Sequence, residues 1–435
     1  MQLKIEQLPD YLRDQFPSLE NRMPAGYQLA YLDGPGGYQV PLSVIRAMEE
    51  YFVKINANAE GSYSTSIATD EMLDGAREAF ADFFGCDSDE VAFGANMTTL
   101  NFLLSQALVR QMVPGDRVII TEIDHEGNRA PWLHLKERGI IIDEVRVDTN
   151  TCTLDMDDYA SKLRANTRVV AVNYASNAVG TITDVRRFVS MAKKVGAYTV
   201  VDAVHYAAHA PIDVKAIGCD FLLASVYKFF GPHVGVMYAN KEALSMLRTL
   251  RVKPARPQPP YKIETGTLNH EGIAGAAAAV AFVADAGRKF AEGLAEEAEG
   301  LTGRRRDVVA GLLAFDHYEK QLTSYLIDGL SKLPEVTLYG PPAGHPRTST
   351  VSFTYRGLNS RVVARYLDSL GILVWDGDFF ATTLVERLGL KDQGGLVRIG
   401  IAPYNTKGEL TRLLDALADA DSLRRFSVGA AKESN

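Results

Sequence analysis

The feature that most constrains the fold is a regular alternation of short apolar runs with amphipathic segments between about Gly75 and Asn240. The apolar runs are rich in β-branched residues and have the length of strands, whereas "TTLNFLLSQALVRQM" and "VRRFVSMAKKVG" repeat apolar residues with a helical period. The predicted strands are "RVIITEI", "GIIIDEVRV", "RVVAVNYA", "AYTVVDAV" and "DFLLASV". Continuous apolar strands need cover on both faces, so the pattern predicts an α/β domain with a mostly parallel sheet.

A second region is predicted to begin after the proline-rich "RVKPARPQPP", which cannot pair as a central strand. An alanine-rich helix, a longer charged helix and then short strands separated by helices follow it, a pattern typical of an α+β domain. We therefore divide the chain into an N-terminal segment, 1–30, that packs on the small domain, a large domain, 31–285, a small domain, 286–425, and a disordered tail, 426–435.

Composition narrows the class of protein. The formal net charge of -8 argues against a nucleic-acid or anionic-membrane surface, because both need a dense basic patch. No apolar stretch is long enough to span a bilayer, and the start lacks a signal core. The three cysteines, Cys86, Cys152 and Cys219, are far apart and lack the pairing of a metal site, so we expect reduced thiols. These features favour a cytoplasmic enzyme.

Polar side chains follow the predicted strands where each strand ends. They are His125, Asn177, Asp202, His205, Ser225 and Lys228. Ligands of a parallel sheet bind at the carboxyl ends of its strands, so we expect these groups to converge on one crevice. Burial there lowers the pKa of a lysine, and the neutral amine adds to an aldehyde as a Schiff base. This chemistry favours pyridoxal 5'-phosphate, with Asp202 holding the ring nitrogen protonated.

A cofactor phosphate needs backbone N–H groups at the start of a helix. "FGANMTTLNFL" offers such a strand-to-helix turn at Ala95, Asn96 and Met97, and Ser225 is the expected side-chain donor. Each of these residues also has an ordinary structural explanation, since Asp202 could cap a helix and His125 could lie in a loop. Their combination in one order favours the cofactor site.

The segment "VDAVHYAAHAPIDVKAIGCDFLLASVYKFFGPHVGVMYA" resembles the cofactor region of class V aminotransferases and cysteine desulfurases. Asp202, His205 and Lys228, the last on a K-x-x-G-P turn, match that region in order and spacing. The resemblance implies the aspartate-aminotransferase-like fold, fold type I of pyridoxal-phosphate enzymes, and a homodimer with sites shared across its interface. It also implies action on an amino acid through an external aldimine and removal of the α-proton by Lys228.

The resemblance extends to four further segments. "TEIDHEGNRAPW" implies that His125 stacks on the cofactor ring, and "SNAVGTITDV" implies that Asn177 lies near the cofactor hydroxyl and the substrate carboxylate. "IETGTLN" implies that Gly266 and Thr267 reach the phosphate of the neighbouring subunit. "VRIGIAPYNT" implies that Arg398 grips the substrate carboxylate, for which a guanidinium fork is apt.

Departures from the family pattern bear on the reaction. Cysteine desulfurases carry a catalytic cysteine in a loop before the carboxylate-binding arginine, whereas the loop from Trp375 to Gly395 has none and no cysteine follows Cys219. The sequence is therefore similar to a desulfurase-like subgroup without that cysteine. Gly37 in "YLDGPGGYQVP" and Phe379 in "WDGDFFA" are further substrate-binding candidates.

We expect carbon–sulfur lyase or desulfurase-like chemistry. The alternatives are a class V aminotransferase, an amino-acid epimerase, or a homologue that binds a ligand without turnover.

Overall fold

The predicted alternation of strands and helices is present in the structure, a computed structural model that describes residues 3–20, 26, 28–290 and 298–433. The α-helices are α1 Leu8–Arg13, α2 Leu42–Glu50, α3 Ser64–Phe84, α4 Met97–Leu108, α5 Glu126–Leu133, α6 Met156–Lys162, α7 Val185–Lys193, α8 Val214–Ile217, α9 Lys241–Met246, α10 His270–Phe290, α11 Gly303–Leu330, α12 Ser360–Ser369, α13 Thr382–Arg387, α14 Lys407–Ala418 and α15 Ala420–Glu433. The strands are β1 Ala30–Tyr31, β2 Val91–Gly94, β3 Arg117–Thr121, β4 Ile141–Val145, β5 Val147–Asp148, β6 Thr153–Leu154, β7 Thr167–Asn173, β8 Tyr198–Asp202, β9 Phe221–Ser225, β10 Gly235–Ala239, β11 Val336–Tyr339, β12 Thr350–Tyr355, β13 Ile372–Leu373, β14 Trp375–Gly377 and β15 Leu396–Gly400.

Seven strands form the central sheet, in the order β2-β10-β9-β8-β7-β3-β4. The pairs β9–β8, β8–β7, β7–β3 and β3–β4 are parallel, and β10 is antiparallel to both of its neighbours. The predicted mostly parallel sheet is confirmed. Asn173 pairs with Asp202 in register, so the last residues of β7 and β8 lie side by side at one edge of the sheet.

The central sheet separates two hydrophobic cores. Along β9, Phe221 and Leu223 belong to one core, whereas Leu222 and Ala224 belong to the other. This division follows from the two-residue period of a strand, and burial on both faces explains why the strand sequence is continuously apolar. None of the described helices is both long enough and apolar enough to cross a membrane.

A second, antiparallel sheet forms in the C-terminal part, in the order β11-β12-β15-β14. Arg398 of β15 is paired with Ser352 of β12 on one side and Trp375 of β14 on the other. This sheet therefore fixes the backbone of Arg398 directly beside the start of the segment from Trp375 to Gly395.

The N-terminal segment contacts both parts of the molecule. Strand β1 pairs in parallel with β13, and Arg13 binds Glu409 of α14 through a 2.8 Å ion pair. The Phe16 ring lies 4.9 Å from the ring of Tyr404 and 5.5 Å from that of Phe282 in α10. The predicted domain boundaries stay predictions. Positions 1, 2, 21–25 and 27 of the predicted segment lie outside the described residues.

The helix α15 continues through residues 426–433, which belong to the predicted disordered tail, and that tail stays a prediction. Leu423 is fully buried, and the Phe426 ring packs at 5.6 Å on the ring of Tyr366 in α12. The end of the sequence is mostly polar, so it gives no indication that Leu423 and Phe426 are packed. Residues 434 and 435 lie outside the described part of the chain.

Candidate active site

Lys228 ends a short 3-10 turn, Val226–Lys228, that follows β9 directly. Its Nζ donates hydrogen bonds to the carbonyl oxygen of Pro35 and, at 3.0 Å, to that of Gly36. Burial first and the Arg398 guanidinium second lower the pKa of this amine to about 7, while the nearby carboxylates act in the opposite direction. Near neutral pH a large fraction of the amine is therefore unprotonated, as a nucleophile or base requires.

Asp202 is the last residue of β8 and is only 6% exposed. Its Oδ1 accepts a 2.9 Å hydrogen bond from the backbone N–H of Val204. Burial raises the pKa of the carboxyl to about 7, and the buried Asp124 carboxylate adds to this effect. A cation bound beside Asp202 would restore its ionisation, so the site is suited to a positively charged ring nitrogen.

His125 caps the N-terminus of α5, where its Nδ1 accepts a 2.9 Å hydrogen bond from the backbone N–H of Gly127. This bond assigns the ring proton to Nε2. Burial lowers the pKa of the imidazole to about 4, and the charges of Lys228 and Arg398 add to the effect. The ring is therefore neutral at physiological pH, and its centre lies 5.5 Å from that of the Phe380 ring, with an angle of 34° between the two planes.

The start of α4 meets the end of β9. Asn96 caps this twelve-residue helix by accepting a 2.9 Å hydrogen bond from the N–H of Thr99, and the N–H of Met97 donates to Ser225 Oγ at 2.9 Å. Gly235 of β10 makes the close approach possible, since a Cβ there would lie 2.5 Å from the carbonyl carbon of Asn96. Backbone N–H, hydroxyl and helix N-terminus thus converge, as an anion site requires.

His205 is buried and lines the same cavity as Lys228 and Asp202. Its Nε2 is 3.0 Å from Thr348 Oγ1 and 2.9 Å from Thr350 Oγ1, both in the C-terminal part. Burial and the neighbouring His209 hold its pKa well below the usual range, so the imidazole is neutral.

Arg398 is 2% exposed and forms a 2.7 Å ion pair with Asp33, itself 7% exposed. A second nitrogen donates to the carbonyl oxygen of Asn177 at 3.1 Å, whereas its Nε finds no hydrogen-bond partner among the described residues. The guanidinium carbon also lies 4.4 Å from the centre of the Phe379 ring. This buried and internally paired arginine also lines a cleft together with Lys228.

Asn177 connects this arginine to the loop after β14. Its Nδ2 donates to the carbonyl oxygen of Phe379 at 2.9 Å. Phe379 and Phe380 both have φ of 57°, a left-handed backbone that bulky residues rarely adopt. Two strained residues in succession persist only where surrounding contacts impose the conformation, and such positions cluster at functional sites.

Two adjoining cavities share Pro35, Thr98, His125, Asn177, Tyr227 and Lys228 in their walls. The inner cavity also includes Met97, Asp202, His205 and Ser225. The outer cleft, of about 460 Å³, continues to Arg398, Phe379, Phe380 and Trp375. Most of the predicted residues are therefore brought together.

Gly266 and Thr267 lie apart from them, in another cleft of about 600 Å³. Gly37 contributes its carbonyl oxygen to a 2.9 Å bond from the Tyr31 hydroxyl, and its neighbour Gly36 lines the outer cleft.

The sequence did not identify Asp33, although it occurs in the noted "YLDGPGGYQVP". A carboxylate in a glycine-rich turn is an ordinary turn residue. Its partner, Arg398, is 365 positions away, so no local signal distinguishes it. The signal available was its place in the same turn as Gly37.

Comparison with known proteins identifies the family of the chain. The family described as aminotransferase class-V matches residues 30–302 and 309–413. The aminotransferase-like protein FGM3 of Gibberella zeae is 32% identical over 93% of this chain and 96% of its own length. A cysteine desulfurase of Pectobacterium carotovorum is 31% identical over 93% of this chain and 96% of its own.

Among solved structures, the apo cysteine desulfurase of Thermococcus onnurineus NA1 superposes with a TM-score of 0.80 at 27% identity, covering 93% of this chain and 98% of that one. The cysteine desulfurase CsdA of Escherichia coli shares the fold, with a TM-score of 0.78 at 23% identity over 96% of this chain and 98% of its own. The predicted aspartate-aminotransferase-like fold is confirmed.

Proposed function

The chain belongs to the class-V aminotransferase family, and from this premise we propose that it binds pyridoxal 5'-phosphate and acts on an amino acid at Lys228. The observation that carries the proposal is the burial and the lowered pKa of that lysine. Its amine is buried at the junction of two cavities, with a pKa lowered to about 7. A lysine in this state serves both as a nucleophile toward an aldehyde and as a base.

The groups around the inner cavity fit the cofactor. Asp202 would hold a protonated ring nitrogen, the flat neutral face of His125 would lie against the ring, and His205 would serve the phenolic oxygen. Met97 N–H and Ser225 Oγ, which are 2.9 Å apart, would hold the phosphate at the start of α4. When bound, the cofactor withdraws electrons from the substrate α-carbon and so acidifies its proton.

The chain's own groups would then orient the substrate and move one proton. Arg398 would bind the α-carboxylate from the wall of the outer cleft, while Asp33 holds the guanidinium in place. Asn177 would support the same end of the substrate. Lys228 would leave the carbonyl oxygens of the Pro35–Gly36 turn and take the α-proton on its neutral Nζ.

We propose carbon–sulfur bond cleavage without a catalytic cysteine as the outcome. The three cysteines are Cys86, Cys152 and Cys219, and none is in the wall of either cavity. Cys152 is 1% exposed and burial raises its pKa to about 11, so it is not a ready thiolate. The sulfur would therefore leave as a thiol instead of being transferred to the protein.

A second candidate is transamination, which begins with removal of the same proton. It is favoured by the similarity to the aminotransferase-like protein of Gibberella zeae, at 32% identity. In the lyase, the electrons left on the α-carbon expel the β-substituent. In transamination, the proton returns to a carbon other than the α-carbon.

A homodimer is also part of the proposal. Gly266 and Thr267 lie in a cleft separate from Lys228, so their expected contact with a phosphate would be made to a partner subunit. The cytoplasmic location expected from the composition stays a prediction.

The cofactor is tested by reconstitution. Purified protein with added pyridoxal 5'-phosphate should develop the visible absorption of a lysine-bound cofactor, and Lys228→Ala should not. The exposed lysine variant Lys241→Ala is the matched control and should behave as the wild type. Protein that stays colourless after reconstitution would refute the cofactor and the enzymatic role together.

The reaction is tested by product analysis on the reconstituted enzyme. Pyruvate together with a thiol or sulfide, formed from cysteine, cystine or a cysteine conjugate, supports the lyase. Amino transfer that depends on an added keto acid, with no cleavage of any of these compounds, would replace it with the aminotransferase.

A further inference from the structure

The outer cleft has one wall that the proposed chemistry does not use. Beyond Lys228 and Arg398 it ends at Phe380, Trp375 and Ala130. The Phe380 side chain is 66% exposed and that of Trp375 is 49% exposed, which is unusual for two large apolar residues beside a polar site. Nothing in the proposed proton transfer requires either ring.

The exposure of Phe380 is imposed by its surroundings. Its carbonyl oxygen accepts a 2.7 Å hydrogen bond from the N–H of Glu126, and its own N–H donates to Asp378 Oδ1 at 3.0 Å. Asp378 Oδ2 is held in turn by the Thr382 hydroxyl at 2.8 Å. A left-handed backbone is strained for a phenylalanine, so these contacts maintain a ring in the cleft at the expense of stability.

Most of the charged groups near this wall have an ion-pair partner, and Asp378 is held by hydrogen bonds alone. Glu126, which borders the cleft, forms a 3.2 Å ion pair with Arg129. Arg398 is paired with Asp33, and His125 is neutral. A negatively charged substrate side chain would find no free cation at this wall among the described residues, whereas an apolar side chain would bury the exposed rings.

We propose that Phe380 and Trp375 form an apolar recognition site for the substrate side chain, so that the enzyme takes an amino acid with a bulky apolar group. This inference rests on the function proposed above. Within the carbon–sulfur lyase, the apolar group is the substituent on the sulfur of a cysteine thioether. Free cysteine would leave both rings uncovered.

The corresponding reaction balances without an oxidant or reductant. The α-carbon gives its proton to Nζ of Lys228, and the C–S bond breaks with both electrons going to sulfur. The sulfur takes up a proton and leaves as a thiol. The remaining three-carbon enamine reacts with water to give pyruvate and ammonia.

The test compares S-benzyl-L-cysteine with S-carboxymethyl-L-cysteine, which carry apolar and charged groups on the same sulfur. On the reconstituted enzyme, kcat/KM for thiol release should be about tenfold or more higher for the benzyl compound. Phe380→Ala should raise KM for the benzyl compound about tenfold and leave that for S-methyl-L-cysteine unchanged. Phe380→Leu should retain most of the preference, and Phe102→Ala, on an exposed ring outside the cleft, is the matched control.

Binding is measured separately from turnover. The chain has two tryptophans, of which Trp132 is fully buried, so a change in fluorescence on adding S-benzyl-L-cysteine should come from Trp375 and be absent in Trp375→Phe. Equal kcat/KM for the two thioethers, or an equal loss on both in Phe380→Ala, would overturn the inference and leave the lyase standing. Saturable binding of the benzyl compound that Phe380→Ala weakens, without thiol release, would support apolar recognition and refute the lyase.

Discussion

Replacing Lys228 by methionine tests the physical state of the lysine on which the proposed function depends. Methionine has a similar length, is apolar and cannot ionise. The protein is first stripped of any cofactor, so that the amine is free. The quantity compared is the free energy of unfolding of Lys228→Met minus that of the wild type, as a function of pH.

The expected size follows from the lowered pKa. A shift from the ordinary 10.5 to about 7 corresponds to about 5 kcal/mol, at about 1.4 kcal/mol for each tenfold change in the proton equilibrium. Below about pH 7 the amine is charged in both the folded and the unfolded chain, and the folded state bears the whole cost of burying the charge. Above about pH 10.5 it is neutral in both, and the cost vanishes.

The variant should therefore be more stable than the wild type by the largest amount near pH 6. Between about pH 7 and pH 10 the difference should shrink by up to about 1.4 kcal/mol for each pH unit, because the unfolded wild type binds the proton and the folded one does not. Urea unfolding at a series of pH values measures it. The hydrogen bonds from Nζ to the Pro35–Gly36 turn change the absolute difference but add little to its slope.

A difference that does not vary between about pH 6 and pH 10 would refute the reasoning, since it would mean that the buried amine keeps an ordinary pKa. Lys241→Met provides the control. Lys241 is exposed, and its hydrogen bond to Asp89 raises its pKa above 10.5. The stability that this lysine contributes is fully present below about pH 10.5, so its difference curve should be flat over the same range.

Three further outcomes are expected. Asp33→Ala should lower the free energy of unfolding by about 3–5 kcal/mol in urea titrations, because it leaves the Arg398 charge buried without its partner; a loss below about 1 kcal/mol would contradict this. Because burial raises the pKa of Asp202 to about 7, Asp202→Asn should stabilise the cofactor-free protein by up to about 4 kcal/mol above about pH 7 and should have no effect below about pH 4. In absorbance measurements, the same change should abolish cofactor retention. Gly180→Ala should lower the melting temperature by more than Gly300→Ala does. Both glycines have positive φ, but of the two only Gly180 would bring a Cβ within 2.7 Å of a backbone oxygen. Equal shifts in melting temperature would show that this contact relaxes.

Much of the fold could be predicted from short stretches of the chain. "DFLLASV" is apolar at successive positions because both faces of β9 are buried, and that pattern is visible without a partner strand. The antiparallel strand β10 was not distinguished, since its apolar residues carry no information on direction. The helix α15 was missed because its few apolar positions, such as Phe426, are explained only by α12 on which they pack.

The candidate site also contains residues that the sequence predicts and contacts that it does not predict. Asp202 and Lys228 could be identified because strand ends put polar groups at one edge of a parallel sheet, and their order matches a known family. The Asp33–Arg398 ion pair could not, since its two residues are 365 positions apart and meet only when the N-terminal segment pairs with the C-terminal sheet. The left-handed backbone of Phe379 and Phe380 likewise depends on bonds from Asn177 and Glu126.

By itself, then, the sequence determined the sheet and the family and predicted the lysine, because strand periodicity and the spacing of residues around a turn are local properties of a chain. The tertiary structure alone decided that Lys228 is a partly neutral amine, that Arg398 is paired internally, and that two aromatic rings face the cleft. Those properties arise from burial and from contacts between distant segments. Such contacts change the energy of a charge or of a backbone conformation, but they produce no pattern in the sequence around the residue.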